Sequence, residues 1–156
     1  SGILYADKGG DEIHRKILIL ANRNPIVPEH GELVSKKIPD NFLDHEHYRF
    51  EIVINPSQRN NATRKIIPIK GREAIGEWFI NKAPRSWGFS VNPQNLIISN
   101  NHVKCFDKKG HQVTQGSATV VGQFHVTDKA RFINSFQNGI GRGRAFGAGL
   151  LQVIPF

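Results

Sequence analysis

The densest chemical signal in this 156-residue sequence lies near its end, in Gly139-Ile140-Gly141-Arg142-Gly143-Arg144-Ala145-Phe146-Gly147-Ala148-Gly149. Five glycines in eleven residues leave backbone N–H groups uncovered by side chains. Such amides can approach phosphate oxygens closely, and Arg142 and Arg144 add charge and bidentate donors beside them. The same residues also suit a tight turn that uses glycine for geometry alone. The stretch is not a dinucleotide fingerprint, because its Gly-x-Gly precedes a strand and not a helix, and it has no Walker lysine.

Two further basic groups accompany it. Arg59, Arg64, Lys65, Lys70 and Arg72 cluster ahead of an expected helix, and Lys108 and Lys109 crown an expected turn at Gly110. His45 and His47 alternate with Asp44 and Glu46, which mimics a metal-ligand set but reads as a solvated run in a linker. The other histidines are 14, 30, 102, 111 and 125; strand alternation sets His125 opposite the core-facing Phe124 and Val126. Cys105 stands alone, so an internal disulfide and a CxxC metal site are excluded and a reducing cytoplasm is the natural setting.

Composition widens the hint. Hydrophobic residues make up 38% and charged residues 22%, as in ordinary soluble domains. No apolar run approaches the roughly 18 residues of a membrane span, and no basic-then-apolar leader opens the chain. The absence of methionine implies that Ser1 is not a translation start: either processing removed material or the chain begins part-way into a longer protein. Residues 1–56 hold seven Lys/Arg and nine Asp/Glu (net −2), whereas 57–156 hold fourteen Lys/Arg and four Asp/Glu (net +10). Basic charge gathered in one part of a chain suggests a polyanion partner, although a solubilising surface has the same composition.

The elements that must position these groups follow from pattern. Ile3-Leu4-Tyr5-Ala6 and Lys16-Ile17-Leu18-Ile19-Leu20, separated by Gly9-Gly10, read as an antiparallel hairpin, and the proline-bearing stretch 23–44 reads as a linker. Tyr48 to Ile54 alternates as a strand, and 57–65 reads as a polar loop. The spacing then predicts a helix over 72–82 with Ala74, Ile75, Trp78 and Phe79 buried, ended by Pro84. Extended segments follow at 87–91, 96–98 and 102–106, then a strand at 118–126. A second helix, capped by Thr127 or Asp128 and closed by Gly139, would bury Ala130, Phe132, Ile133 and Phe136, and 149–155 makes a last strand. Strand, helix, strand, strand, helix, strand is the order of a ferredoxin-like α+β domain with an antiparallel sheet under two helices. Residues 46–156 would form that βαββαβ unit, and residues 1–45 an incomplete first unit, lacking its opening strand and helix, plus the linker.

Asn138-Gly139-Ile140-Gly141 followed by a basic residue, then Ala145-Phe146-Gly147-x-Gly149-Leu150-Leu151, resembles the C-terminal signature of the repeat-associated RNA-binding (RAMP) proteins of CRISPR systems, CasE-type endoribonucleases above all. Phe124-x-Val126-x-Asp128 running to Phe132, Trp78-Phe79 before Gly88-Phe89-x-Val91, and Tyr48-Arg49-Phe50 to Asn55-Pro56 fit the same family in order, over about the last 110 residues. Of the first 45, Ile3-Leu4-Tyr5 fits. The resemblance implies tandem ferredoxin-like (RRM-like) domains that bind the CRISPR repeat RNA hairpin. It also implies cleavage of precursor RNA without metal or cofactor, by attack of a 2′-hydroxyl on its neighbouring phosphate, and retention within the Cascade complex. In that family the catalytic histidine follows the first strand, in the helix of the first domain. That part has no counterpart here, so no catalytic histidine is assigned. Arg144 stands where the family commonly has lysine; it keeps the phosphate-binding charge but stays charged, so phosphate contact is its expected role.

The expected RNA contacts are therefore Gly139, Gly141, Arg142, Gly143 and Arg144, with Arg59, Arg64, Lys65, Lys70, Arg72, Lys108 and Lys109. A-form duplexes are read through phosphates, 2′-hydroxyls and shape, which suits lysine and arginine with few aromatics. Trp78 and Phe79 are assigned to helix packing and Trp87 stays open, so a hairpin is favoured over a single strand. Three readings stay in play: an endoribonuclease subunit, a non-catalytic RNA-binding module of the same fold, and a scaffold domain whose charge is incidental.

Overall fold

The computed structural model describes residues 3–100 and 104–156. Strand β1 (Ile3–Gly10) pairs antiparallel with β2 (Arg15–Ala21), and the register breaks between Asp7 and Gly10. The turn at 11–14 is closed by Asp11, whose carboxylate accepts from the amides of Ile13 and His14. Residues 22–46 hold no helix or strand, as three prolines dictate.

β3 (His47–Ile54) alternates as its sequence requires, burying Tyr48, Phe50, Ile52 and Ile54. After it come a small hairpin of β4 (Ser57–Arg59) and β5 (Ile66–Pro68), helix α1 (Arg72–Lys82), β6 (Phe89–Val91) and β7 (Ile97–Asn100). A second hairpin, β8 (Lys104–Lys108) and β9 (His111–Gln115), precedes β10 (Ala118–Val126), α2 (Lys129–Asn138) and β11 (Gln152–Pro155). The main sheet is ordered β11-β3-β10-β6, all antiparallel, with β7 also on β10. β6 and β7 thus act as one edge strand broken by the turn at Pro93–Asn95. With that edge counted once, the order is fourth-first-third-second, which is the split βαβ topology expected.

Both helices cover one face. Phe79 of α1 and Phe132 and Phe136 of α2 share a core with Tyr48, Phe50, Phe89 and Phe124. The rings pack closely: Phe89 stacks on Phe124 at 4.2 Å, and Tyr48 lies 5.0 Å from Phe132.

The details depart from pattern in instructive ways. Residues 57–65 are not a plain loop, because Ser57–Arg59 and Ile66–Pro68 pair. In α1 the buried residues are Ile75, Gly76 and Phe79, with Trp78 half-buried and Ala74 exposed. Gly76 turns the face, since a Cβ there would sit 3.1 Å from Ile98. Pro84 does not end the helical path. One wide turn, Ala83–Trp87, continues it and closes by Gly88 N–H donating to the Ala83 carbonyl (3.0 Å), which needs no N–H from proline. Trp87 is therefore buried in that turn and is not part of a strand. In α2 Ala130 is exposed and Ser135 is buried instead, its hydroxyl donating to the Trp87 carbonyl at 3.0 Å. Asp128 and not Thr127 is the cap, accepting from Arg131 N–H. Of the expected extended segment 102–106, residues 102 and 103 lie outside the described residues.

Candidate nucleic-acid interface

Strand polarity decides where the basic groups meet. β3 ends at Ile54, which pairs with Ala118, the first residue of β10; Ala118 also pairs with Asn100, the last residue of β7. Gly149, just ahead of β11, donates its N–H to Val53 at 2.7 Å. One end of the sheet therefore receives the β4–β5 hairpin, the start of α1, the β8–β9 hairpin and the glycine loop. All three expected groups emerge at that end.

The loop begins where α2 stops. Gly139 donates to the Ser135 carbonyl (3.0 Å), and Ile140 donates to Gly149 across the neck of the loop (2.9 Å). The neck is tight: a Cβ on Gly149, which sits at φ 94°, would fall 2.7 Å from the Ile140 oxygen. Gly141 differs, because its φ is 74° and a Cβ there would meet nothing within 4 Å. Glycine at 141 thus serves the backbone turn and leaves the peptide bare. Gly143 heads a short turn and its carbonyl accepts from Phe146 and Ala148.

Among the described residues, the amides of Gly141, Arg142 and Gly143 make no hydrogen bond. Their donors are unspent, while that of Gly139 is consumed, so Gly139 contributes geometry. Arg142 and Arg144 are exposed. Arg144 Nη1 donates to the Asn138 carbonyl at 2.8 Å, which occupies one of five guanidinium donors and caps α2. Residues 129–156 contain no Asp or Glu, so no acid within the loop competes for these cations.

The glycine loop is braced by β1. Leu4 and Ala6 bury against Leu150, and the Tyr5 ring lies against Gly147, where a Cβ would be 3.0 Å away. Lys8 bridges Glu51 (2.5 Å) and Gln152 (2.6 Å). The sequence signalled the strand but not this bracing role.

Arg59, Arg64, Lys65, Lys70 and Arg72 are all exposed and none forms an ion pair among the described residues. Arg64 sits at φ 59° in a turn closed by Asn60, which aims the hairpin tip outward. Lys109 (φ 51°) and Gly110 (φ 78°) form the two-residue turn of β8–β9, as a primed hairpin turn requires. Lys109 is exposed; the side chain of Lys108 lies outside the described residues.

The histidines sit elsewhere. His47 pairs with His125 at the far end of β3, about 20 Å from Val53 at strand rise. His45, His47 and His125 are exposed, and so are His14 and His30. His102 and the His111 side chain lie outside the described residues. Among the described residues no three His, Cys, Asp or Glu side chains gather as a metal-binding group, and no helix is long and apolar enough to cross a membrane. Beside His47 and His125, Arg49 and Phe156 complete a ring cluster on the helix-free face that the sequence reading left as surface.

Residues 2–155 match the family model described as CRISPR associated protein. Among solved structures, a CRISPR endoribonuclease Cse3 bound to 19 nt RNA is similar over 98% of this chain and 80% of its own, with TM-score 0.82 and 19% identity. The CRISPR-associated protein Cas6e from Escherichia coli K-12 is similar over 99% of this chain and 84% of its own, with TM-score 0.70 and 16% identity. A chain of a CRISPR RNA-guided surveillance complex in a pre-nicking state is similar over 100% of this chain and 78% of its own, with TM-score 0.71 and 17% identity. No curated protein matches the chain.

Proposed function

The chain belongs to the CRISPR associated protein family, and from that premise we propose that it grips the hairpin of a CRISPR repeat RNA and cleaves the precursor at the base of the stem. The observation that carries this reading is the convergence of three exposed basic groups and a run of unspent amides at one end of one sheet. A duplex stem needs phosphate contacts from several directions, and two hairpins and a loop supply them. The bare amides of Gly141, Arg142 and Gly143 with the two guanidiniums take the strand where it bends away from the stem. Residues 1–45 serve as the partial first ferredoxin-like unit and linker, and 46–156 as the second. The chain keeps its product and works as a Cascade subunit in the cytoplasm; the likeness to a surveillance-complex chain supports this.

The proposed reaction needs no metal, because the 2′-hydroxyl next to the scissile phosphate is its own nucleophile. The 2′-oxygen bonds to phosphorus, the bond from phosphorus to the 5′-oxygen breaks, and a cyclic 2′,3′-phosphate and a 5′-hydroxyl result. One proton leaves the 2′-hydroxyl for a base and one arrives at the 5′-oxygen from an acid. Arg142 and Arg144 stay charged, so they stabilise the phosphorane electrostatically and leave proton transfer to other groups.

The test is a labelled repeat hairpin incubated with the chain in EDTA. Cleavage that a 2′-deoxy substitution at the scissile nucleotide abolishes, with binding retained, is the expected result. A salt-sensitive shift without cleavage identifies the non-catalytic RNA-binding module instead, and no shift removes the reading altogether.

A further inference from the structure

The helix-free face of the main sheet carries a set of rings that a grip on the stem does not use. His47 and His125 stand directly opposite each other on β3 and β10, their ring centroids 6.2 Å apart. Phe156 lies 6.0 Å from His47, held there by its own N–H donating to the His47 carbonyl (3.1 Å). The Arg49 guanidinium carbon sits 5.4 Å from the Phe156 ring centre. The core is on the other side of the sheet, so these rings face solvent: Phe156 is 59% exposed and neighbouring Ile154 68%.

A recess of about 440 Å³ opens beside them, lined also by Ser90, Asn92, Pro93 and Gln123. That is within the range of small-ligand pockets, about 300–1,000 Å³. Gln123 accepts from Asn95 through its Oε1 at 3.1 Å, which turns its amide nitrogen to other partners. Stacking surfaces, a guanidinium and amide or hydroxyl groups at the edge are what an unpaired nucleotide needs: a platform, a phosphate contact and groups for the base edge.

From this arrangement we infer that the face binds unpaired RNA flanking the stem. The inference rests on the function proposed above and extends it to a second subsite. Charge favours RNA over a protein partner. Among the described strand residues of this face the acid is Glu51, and Lys8 already neutralises it, so Arg49 leaves the ring cluster positive. Rings alternating with Arg, Gln, Ser and Asn also differ from the continuous apolar surface of a protein interface core. Position agrees: the cluster lies about 20 Å down β3 from Val53, to which the glycine loop is tied, so a strand leaving a stem gripped there reaches it in a few nucleotides.

The test compares a blunt repeat hairpin with hairpins bearing an unpaired flank on either side, by fluorescence anisotropy at one salt concentration. Flanked RNA should bind the unaltered chain more tightly. Phe156→Ala should lose at least about fivefold on flanked RNA and leave the blunt hairpin unchanged, while Phe156→Tyr keeps the affinity. His47→Ala should act in the same direction. Equal loss on both RNAs, or none, overturns the inference. No gain from a flank, with the blunt hairpin still bound, also overturns it and returns the face to a protein contact. If the blunt hairpin does not bind but flanked RNA binds and is lost in Phe156→Ala, the stem reading fails and this one stands.

Discussion

Removing Arg142 and removing Arg144 should have different consequences, although the two residues stand two apart. Arg142 is exposed and has no partner among the described residues, so its side chain is free for phosphate. Each Arg–phosphate contact at a solvated surface contributes about 1–1.5 kcal/mol, which is roughly five- to tenfold in affinity. Each also releases counterions, worth about 0.7–0.9 in the slope of log affinity against log salt. Over a fourfold rise in salt, Arg142→Ala should therefore lose about threefold less affinity than the unaltered chain. Arg144→Ala should show the same two effects and a third. Its guanidinium caps α2 through the Asn138 carbonyl at 2.8 Å, an exposed charge-assisted bond worth about 1 kcal/mol of stability. In a chain of this size that is about 2–4 °C in Tm. Arg142→Ala should leave Tm unchanged.

The assay is a hairpin titration at several salt concentrations, with thermal melts of each variant. Lys129→Ala is the informative control, because that lysine removes the same unit of charge but sits at the far end of the sheet, paired with Asp44 at 2.7 Å. If Lys129→Ala flattens the salt slope as much as Arg142→Ala, bulk charge does the binding and the loop assignment is wrong. If neither variant changes affinity or slope, the loop does not touch RNA.

Three further outcomes test the frame. Gly88 sits at φ 86°, with a hypothetical Cβ 2.5 Å from both Asp128 O and Phe132 N, so Gly88→Ala should cost at least about 2 kcal/mol and lower Tm by 4 °C or more. Asp128→Ala removes the cap that accepts from Arg131 N–H and should cost about 1 kcal/mol, read by urea unfolding. Tyr48 donates to the Phe42 carbonyl at 2.7 Å and accepts from His45 N–H at 3.1 Å; Tyr48→Phe leaves both unpaired and should cost about 1–2 kcal/mol. Burial raises the Tyr48 phenol above its ordinary value of 10.0, partly opposed by the His45 amide, with the Asp44 charge adding to the rise. A raised folded-state value means a contribution that is full below pH 10.0 and lost as pH climbs through the raised value. Tyr48→Phe should therefore lose stability less steeply with alkali, and identical slopes in urea melts at pH 9 and 10.5 would contradict this.

The main sheet was legible because its signal is local. Alternation at Tyr48, Phe50, Ile52 and Ile54, and the unbroken run from Ala118 to Val126, dictate strands whatever surrounds them. The errors fall where a small residue or a proline does something that period counting does not score. Gly76 counts as polar filler in a helical wheel, yet it is the point where α1 touches Ile98 and so decides which side is buried. Pro84 normally stops a helix, but a wider turn has a place for it. The glycine loop was legible as composition, and its division of labour was not. Whether an amide is spent on Ser135, as at Gly139, or left bare, as at Gly141, depends on the path of the chain. The ring cluster was hidden for a similar reason: His47, Arg49, His125 and Phe156 come from three separate segments, and pairing alone brings them together.

Pairing also explains why a diffuse sequence charge becomes a directed one. In a βαββαβ chain the first strand-to-helix connection, the link between the middle strands and the last helix-to-strand connection all fall at one end of the sheet. Those three connections, residues 55–71, 101–117 and 139–151, hold nine of the fourteen cations of the second half and one acid, Asp107. At the other end Lys129 and Arg131 are matched by Asp44 and Asp128. The topology thus gathers most cations of the second half at one pole, while Lys129 and Arg131 at the other are neutralised. On the proposed function, an approaching RNA would be oriented before any contact forms, towards the pole where the bare amides lie. A field of this shape would persist if any one basic group were removed, so single charge substitutions should slow association little and act mainly on dissociation.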